Sequence, residues 1–271
     1  MDRRRVTPRP ERRGPRLDLD DVIYGVHAVE EALVAGEALR RIHIGDDRKR
    51  DPALRGVLER AREASIAVRF ENRSFFAAFP YKAHQSVVAF GPPFDYVTLD
   101  EALALRPPSR TGLWVILDHV TDPYNVGAIV RSAESAGATA LILPERRSAG
   151  VNATVRKAAA GATAFLPIAR VANIAQSIQT MKKAGIWIAG AALNPAAVPY
   201  TRADFDRDLA IVIGAEGAGL STLVQRECDY LVAIPMLGKI ASLNASVAAG
   251  VLLFEALRQR SSEHRQKSDG G

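Results

Sequence analysis

The sequence predicts an α/β protein: an open parallel sheet with helices on both faces, preceded by a smaller N-terminal α/β unit. Three observations predict it. Five apolar runs (Leu113–Leu117, Ala140–Leu143, Ile186–Ala191, Leu209–Ile213 and Tyr230–Ile234) are separated by helical patterns. Their Val, Ile, Leu and Ala show little alternation, as expected of strands buried on both faces. Ahead of them, residues 20–90 alternate shorter apolar runs with helical patterns, and the pairs Pro92-Pro93 and Pro107-Pro108 punctuate the stretch between, as linkers do.

In the first unit, Tyr24–Leu33 reads as a helix ended near Gly36, Arg41–Ile44 as a strand and residues 52–63 as a second helix. Ala67–Phe70 is a strand, Ser74–Phe79 a short helix and Ser86–Phe90 another strand. Phe75, Phe76 and Phe79 could stack on bases, but their crowding on one short helix reads as core packing. Trp114 and Trp187 fall in buried-strand patterns and are expected in the core. A last helix, from Val247 to about Arg260, is apolar around most of its circumference, so it is expected to be buried against the sheet and against a second subunit. Residues 261–271 read as a frayed polar tail.

Composition excludes several classes. At 271 residues the chain can bury a full core, and 48% hydrophobic against 24% charged residues is unlike a disordered, collagenous or coiled-coil chain. Cys228 is the single cysteine, so neither an intramolecular disulfide nor a Cys-pair zinc knuckle is available; it reads as a small core residue. The histidines at 27, 43, 84, 119 and 264 lack metal-ligand spacing, and no metal is expected. No uninterrupted apolar stretch suits a membrane span, and the basic N-terminus has no apolar run behind it, so a cytoplasmic protein is expected. The net charge of +6 is concentrated: residues 1–16 hold seven arginines against Asp2 and Glu11. Such an arm suits a polyanion as well as it suits solubility.

In open parallel sheets, ligands bind outside the carboxyl ends of strands, which directs attention to three loops. The first runs Asp118-His119-Val120-Thr121-Asp122-Pro123-Tyr124-Asn125, with Arg131 six residues further on. Asp122-Pro123 marks a turn, and Asn125 could be a helix cap or a site residue. The second, Gly214-Ala215-Glu216-Gly217-Ala218-Gly219, matches neither G-x-G-x-x-G nor a P-loop. Glu216 would repel a pyrophosphate but could accept hydrogen bonds. The third places Ser242, Asn244 and Ser246 at the start of the last helix. Capping needs only one of them.

Taken together, DHVTDPYNVGAIVRSAESAG, VIGAEGAGLS and IPMLGKIASLNASVAAGVLLFEALRQR resemble, in order and spacing, the three motifs of the SpoU/TrmH family. The resemblance covers residues 113–260. It implies a trefoil-knotted (SPOUT) parallel sheet, S-adenosylmethionine as cofactor, a homodimer, and methylation of a ribose 2′-OH in RNA. Residues 22–90 are similar to the family's accessory substrate-binding domain, which resembles a ribosomal RNA-binding protein; Tyr24-Gly25 and His84-Gln85 carry that likeness, while Ser86 stands where such members show Gly. The implied layout is a basic arm (1–19), an RNA substrate-binding domain (20–90), a linker (91–112), the methyltransferase domain (113–260) and a polar tail (261–271).

The resemblance also implies site residues. Asn125 and Arg131 match the first motif's catalytic pair, Glu216 the acidic residue of the second, and Ser242 and Asn244 the polar pair of the third. Gly214, Gly217, Ile234 and Leu243 fall where the cofactor is held, with Met236 and Leu193 as walls. Members with this front domain act on a guanosine of large-subunit rRNA, and the enzyme acting in the peptidyl-transferase region of 23S rRNA is the nearest likeness. A tRNA methyltransferase of the same family and a non-catalytic RNA-binding protein on the same fold are the alternatives. A nicotinamide oxidoreductase fails on the absent G-x-G-x-x-G.

Overall fold

The computed structural model describes residues 22–80, 83–238 and 242–268, with side chains as far as residue 261. The arginine-rich arm lies outside the described residues. The first unit runs β1 (Val22–Tyr24), α1 (Val26–Val34), β2 (Arg41–Gly45), α2 (Arg55–Glu63), β3 (Ala67–Glu71), α3 (Arg73–Ala77) and β4 (Val87–Phe90). Its four strands lie in the order β1-β4-β2-β3, with only β2 and β3 parallel. Tyr24, expected to open a helix, instead ends a short strand paired with β4. Gly25, at φ 92°, makes the sharp change from strand to helix that a side chain would resist. Ile42, Ile44, Val29 and Val57 form the core on one face. Phe76 and Phe79 are buried on the other beside Tyr24 and Val88, with Phe75 packed against them.

The stretch between the units is packed onto the second one. Tyr96 Oη accepts a hydrogen bond from Val151 N (2.7 Å), and Val97 bridges to Ala169. Thr98 and Glu101 then form a reciprocal capping box for α4 (Leu99–Ala104).

The second unit continues with β5 (Leu113–Asp118), α5 (Pro123–Ser135), β6 (Ala140–Pro144), α6 (Ala153–Ala159), β7 (Ile168–Val171), α7 (Ile174–Lys183) and β8 (Trp187–Ala191). After it come β9 (Val198–Pro199), β10 (Leu209–Gly214), α8 (Thr222–Glu227), β11 (Tyr230–Ala233) and α9 (Ala245–Ser268). All neighbouring pairs are parallel, in the order β7-β6-β5-β10-β8-β11-β9. The five expected runs are all strands. The sequence reading missed β7, a four-residue edge strand, and β9, two residues ending in Pro. Two apolar layers sandwich the sheet, one holding Val126, Ile129, Leu252 and Leu253, the other Ile178, Met181 and Val224.

Three expectations need correction. Trp114 is fully buried and donates to Ala102 O (3.0 Å), but Trp187 is 46% exposed. It opens β8 at the rim of the sheet, where the Arg207 guanidinium covers its ring at 4.4 Å. The last helix runs to Ser268, past the polar boundary at which periodicity ends it. Asp122, not Asn125, caps α5, through Tyr124 N (2.9 Å).

Helix α6 ties the units together. Ala153 packs with Val22 and Tyr24, buried Arg156 pairs with Glu37 (2.6 Å), and the Lys157 ammonium lies 5.8 Å from the Tyr24 ring centre. The chain fills one side of the sheet from β5 to β7, crosses to β8, and later inserts β10 between β5 and β8. That reversal of strand order opens a crevice at the carboxyl ends, where open α/β sheets bind ligands.

Candidate active site

Three side chains from three loops meet at this crevice. Asn125, in the first turn of α5, is buried; its Nδ2 donates to Glu216 Oε1 (2.9 Å). Asn244 Nδ2 donates to Asn125 Oδ1 (2.9 Å) and to the same Glu216 oxygen. Ala245 N adds a longer contact to it (3.4 Å). Asn244 also works on its other side, where Oδ1 accepts from Ser246 N (2.9 Å) and Ser246 Oγ (2.6 Å) and caps α9. A carboxylate receiving amide donors makes strong, charge-assisted bonds. Residues 91 and 28 positions from Glu216 are thereby locked into one node.

Beside the node is a cavity of about 280 Å³. Its lining includes every residue expected at the cofactor: Leu193, Gly214, Gly217, Ile234, Met236 and Leu243, together with Glu216 and Ser242. The glycines have separate reasons to be there. A Cβ on Gly214 would lie 2.2 Å from the carbonyl carbon of Gly219, because the loop folds back with Ala215 and Gly219 exchanging backbone hydrogen bonds. Gly217 (φ 76°) and Gly219 (φ 66°) take left-handed conformations. Apolar walls with exposed backbone on one side, and few polar groups, fit the adenine and ribose of a nucleoside cofactor.

Arg131 is different. It is exposed on α5, and its side chain makes no hydrogen bond or ion pair with any described residue. Ser242 lines the cavity and is exposed too, likewise without a hydrogen bond to a described residue. Sequence reasoning passed over Asp118. It ends β5 in register with Gly214, is fully buried, accepts from Ser221 N at Oδ2 (2.7 Å), and holds His119 Nδ1 at Oδ1 (2.5 Å). An acidic residue completely buried at the carboxyl end of a central strand was the available signal. Cys228 gives no sign of nucleophilic use: burial pushes its thiol up to about 12. Among the described residues no group of His, Cys, Asp and Glu could hold a metal ion, and no helix is long and apolar enough to cross a membrane.

Residues 112–254 match the family described as SpoU rRNA methylase. The chain belongs to that family. Residues 22–97 match a second family, described as RNA 2′-O ribose methyltransferase substrate binding, so the SpoU region is preceded by a module that occurs with such enzymes. A TrmH-family protein of Staphylococcus epidermidis, whose description names tRNA and rRNA together, is 39% identical over 242 residues, 89% of this chain and 96% of that one. Among solved structures, the SpoU methyltransferase AviRb from Streptomyces viridochromogenes, in complex with AdoMet, superimposes with a TM-score of 0.74. It is 29% identical and covers 89% of this chain and 90% of its own. An AdoMet-bound rRNA methyltransferase from Sinorhizobium meliloti gives 0.72 at 28% identity, covering 88% and 87%.

Proposed function

We propose that this SpoU protein transfers the methyl group of S-adenosylmethionine to the ribose 2′-OH of a guanosine in large-subunit ribosomal RNA, acting in the cytoplasm as a homodimer with the knotted sheet of its family. One observation carries the reading. The Asn125–Glu216–Asn244 node borders a cavity whose walls include all six residues expected at the cofactor. AdoMet bound in the two superimposed structures supports the choice of cofactor. The module at residues 22–97 supports RNA as substrate; the choice of rRNA over tRNA rests on the resemblance of the front domain to that of rRNA-acting members.

When bound, S-adenosylmethionine supplies a methyl group activated by its sulfonium charge. The chain's own residues must hold the ribose, exclude water and manage the hydroxyl proton. Holding acceptor oxygen and methyl carbon about 3–3.5 Å apart lowers the barrier by several kcal/mol. Asn125 and Asn244, fixed by Glu216, are the groups that orient the ribose. Arg131 carries a planar guanidinium whose fork of donors matches phosphate oxygens. It grips the phosphate next to the target nucleotide and stabilises negative charge growing on the 2′ oxygen.

The test uses the full-length protein, methyl-labelled S-adenosylmethionine, unmodified 23S rRNA fragments and total tRNA, with Asn125→Ala as control and 2′-O-methyl positions mapped. Label on one rRNA guanosine, lost in the control, is the expected result. Label on tRNA alone overturns the substrate; label on neither, with cofactor bound, favours a non-catalytic protein.

A further inference from the structure

The front module and the helix that carries Asn125 meet along one seam, built on α6. On one side, Gly127 of α5 packs so closely on α6 that a Cβ there would lie 2.5 Å from Ala158 Cβ and 2.7 Å from Val155 O. On the other side, the Tyr24 and Thr154 side chains share a hydrogen bond. Lys157 Nζ fills the space that a Cβ on Gly25 would take. Resting on the methyltransferase reading, we propose that this seam holds the RNA strand flanking the target nucleotide, with Lys157 pairing with a phosphate and the Tyr124 ring stacking on a base.

Three observations carry the proposal. The first is an unpaired charge. The Lys157 ammonium is half-buried between the units, 5.8 Å from the Tyr24 ring centre, and makes no hydrogen bond or ion pair with any described residue. Burial pushes its pKa down, as expected of a cation taken from water without a counter-ion. The ring face offsets part of that cost, but it carries no negative charge. A lysine in the last turn of a helix gains from the dipole while staying in water. The dipole therefore does not account for one wedged against Gly25, whereas an RNA phosphate supplies the missing charge.

The second is an open ring. Tyr124 is 64% exposed, while Asn125, the next residue, is 5% exposed. An aromatic side chain in that place offers its face to a base, and stacking is how proteins hold unpaired nucleotides. The third is continuity. Burial pushes the Tyr24 hydroxyl up, its bond with Thr154 pulls it down, and the Tyr124 phenol pushes it up again. The two phenols are within electrostatic reach of each other, which puts Tyr124 at the seam that holds Lys157. Arg131, seven residues after Tyr124, lies two turns along the same exposed face of α5. One strand leaving the seam along that face would meet a cation, a ring and a second cation.

The test is RNA binding by the full-length protein across a salt series, using 23S rRNA fragments. Lys157→Met keeps an apolar stem and removes the charge. Its melting temperature should hold or rise, because no described partner is lost. Its RNA affinity should fall about tenfold, and the slope of log Kd against log salt should shrink by about 0.7, the share of one phosphate on a single strand. Tyr124→Ala should weaken the same binding about 5- to 150-fold, while Tyr124→Phe, which keeps the ring, should bind as the wild type does. Cofactor affinity by calorimetry should be unchanged in all three. Wild-type RNA affinity in Lys157→Met or Tyr124→Ala, or an unchanged salt slope in Lys157→Met, overturns the proposal. Absence of methyl transfer by the wild-type protein to either rRNA or tRNA overturns the underlying methyltransferase reading instead.

Discussion

The two halves of the candidate site are built in opposite ways. Asn125, Glu216 and Asn244 bind one another, so their geometry is fixed before any ligand arrives. Arg131 and Ser242 are exposed and bind nothing described. The contrast teaches a division of labour. On the proposed reading, the groups that orient the acceptor are the pre-set ones. The group proposed to meet the incoming RNA keeps its donors free, because an internal ion pair would have to be broken first.

Breaking the free half should have the largest effect on turnover. Arg131→Ala is expected to lower kcat about 10²–10³-fold, the size associated with removing a donor aimed at developing charge. Cofactor affinity by calorimetry should stay within a few-fold, and the melting temperature should not move, since no described contact is lost. A parallel loss of cofactor binding would put Arg131 in the pre-set half.

The locked half should respond in stability as well as in rate. Glu216→Gln keeps the shape but removes the charge, and an amide NH₂ can meet the amides of Asn125 and Asn244 donor to donor. We expect about 1 kcal/mol less stability, read as a drop of about 2–4 °C in melting temperature, with kcat reduced alongside. An unchanged melting temperature would mean the node is not stabilising and would dissolve the distinction between the halves.

How far the sequence carried the reading follows the same division. Strands β5, β6, β8, β10 and β11 were legible because burial on both faces leaves nearly continuous apolar runs. β1 was not: three residues, Val22–Tyr24, gain strand geometry only by pairing with β4, and no local pattern specifies that partner. Trp187 was misplaced because an apolar run does not reveal which of its residues sits at the rim. In the site, residue types and the resemblance named Asn125, Glu216 and Asn244, but their convergence depends on inserting β10 beside β5, a long-range event. Asp118 escaped because an acidic residue closing an apolar run looks like an ordinary turn. Its complete burial shows only in the fold.

The smallest effects separate the two duties of Asn244. Its Oδ1 caps α9 while its Nδ2 joins the node. Asn244→Ala removes both and should cost about 1 kcal/mol, the usual worth of a helix cap. Asn244→Asp keeps a capping oxygen, and its negative charge suits a helix N-terminus, yet it sets a second carboxylate against Glu216. The helix should therefore stay intact by circular dichroism, while kcat falls as far as in Asn244→Ala. Equal rates for Asn244→Asp and the wild type would show that the capping oxygen is all that Asn244 supplies, and would leave Asn125 and Glu216 as the whole of the pre-set half.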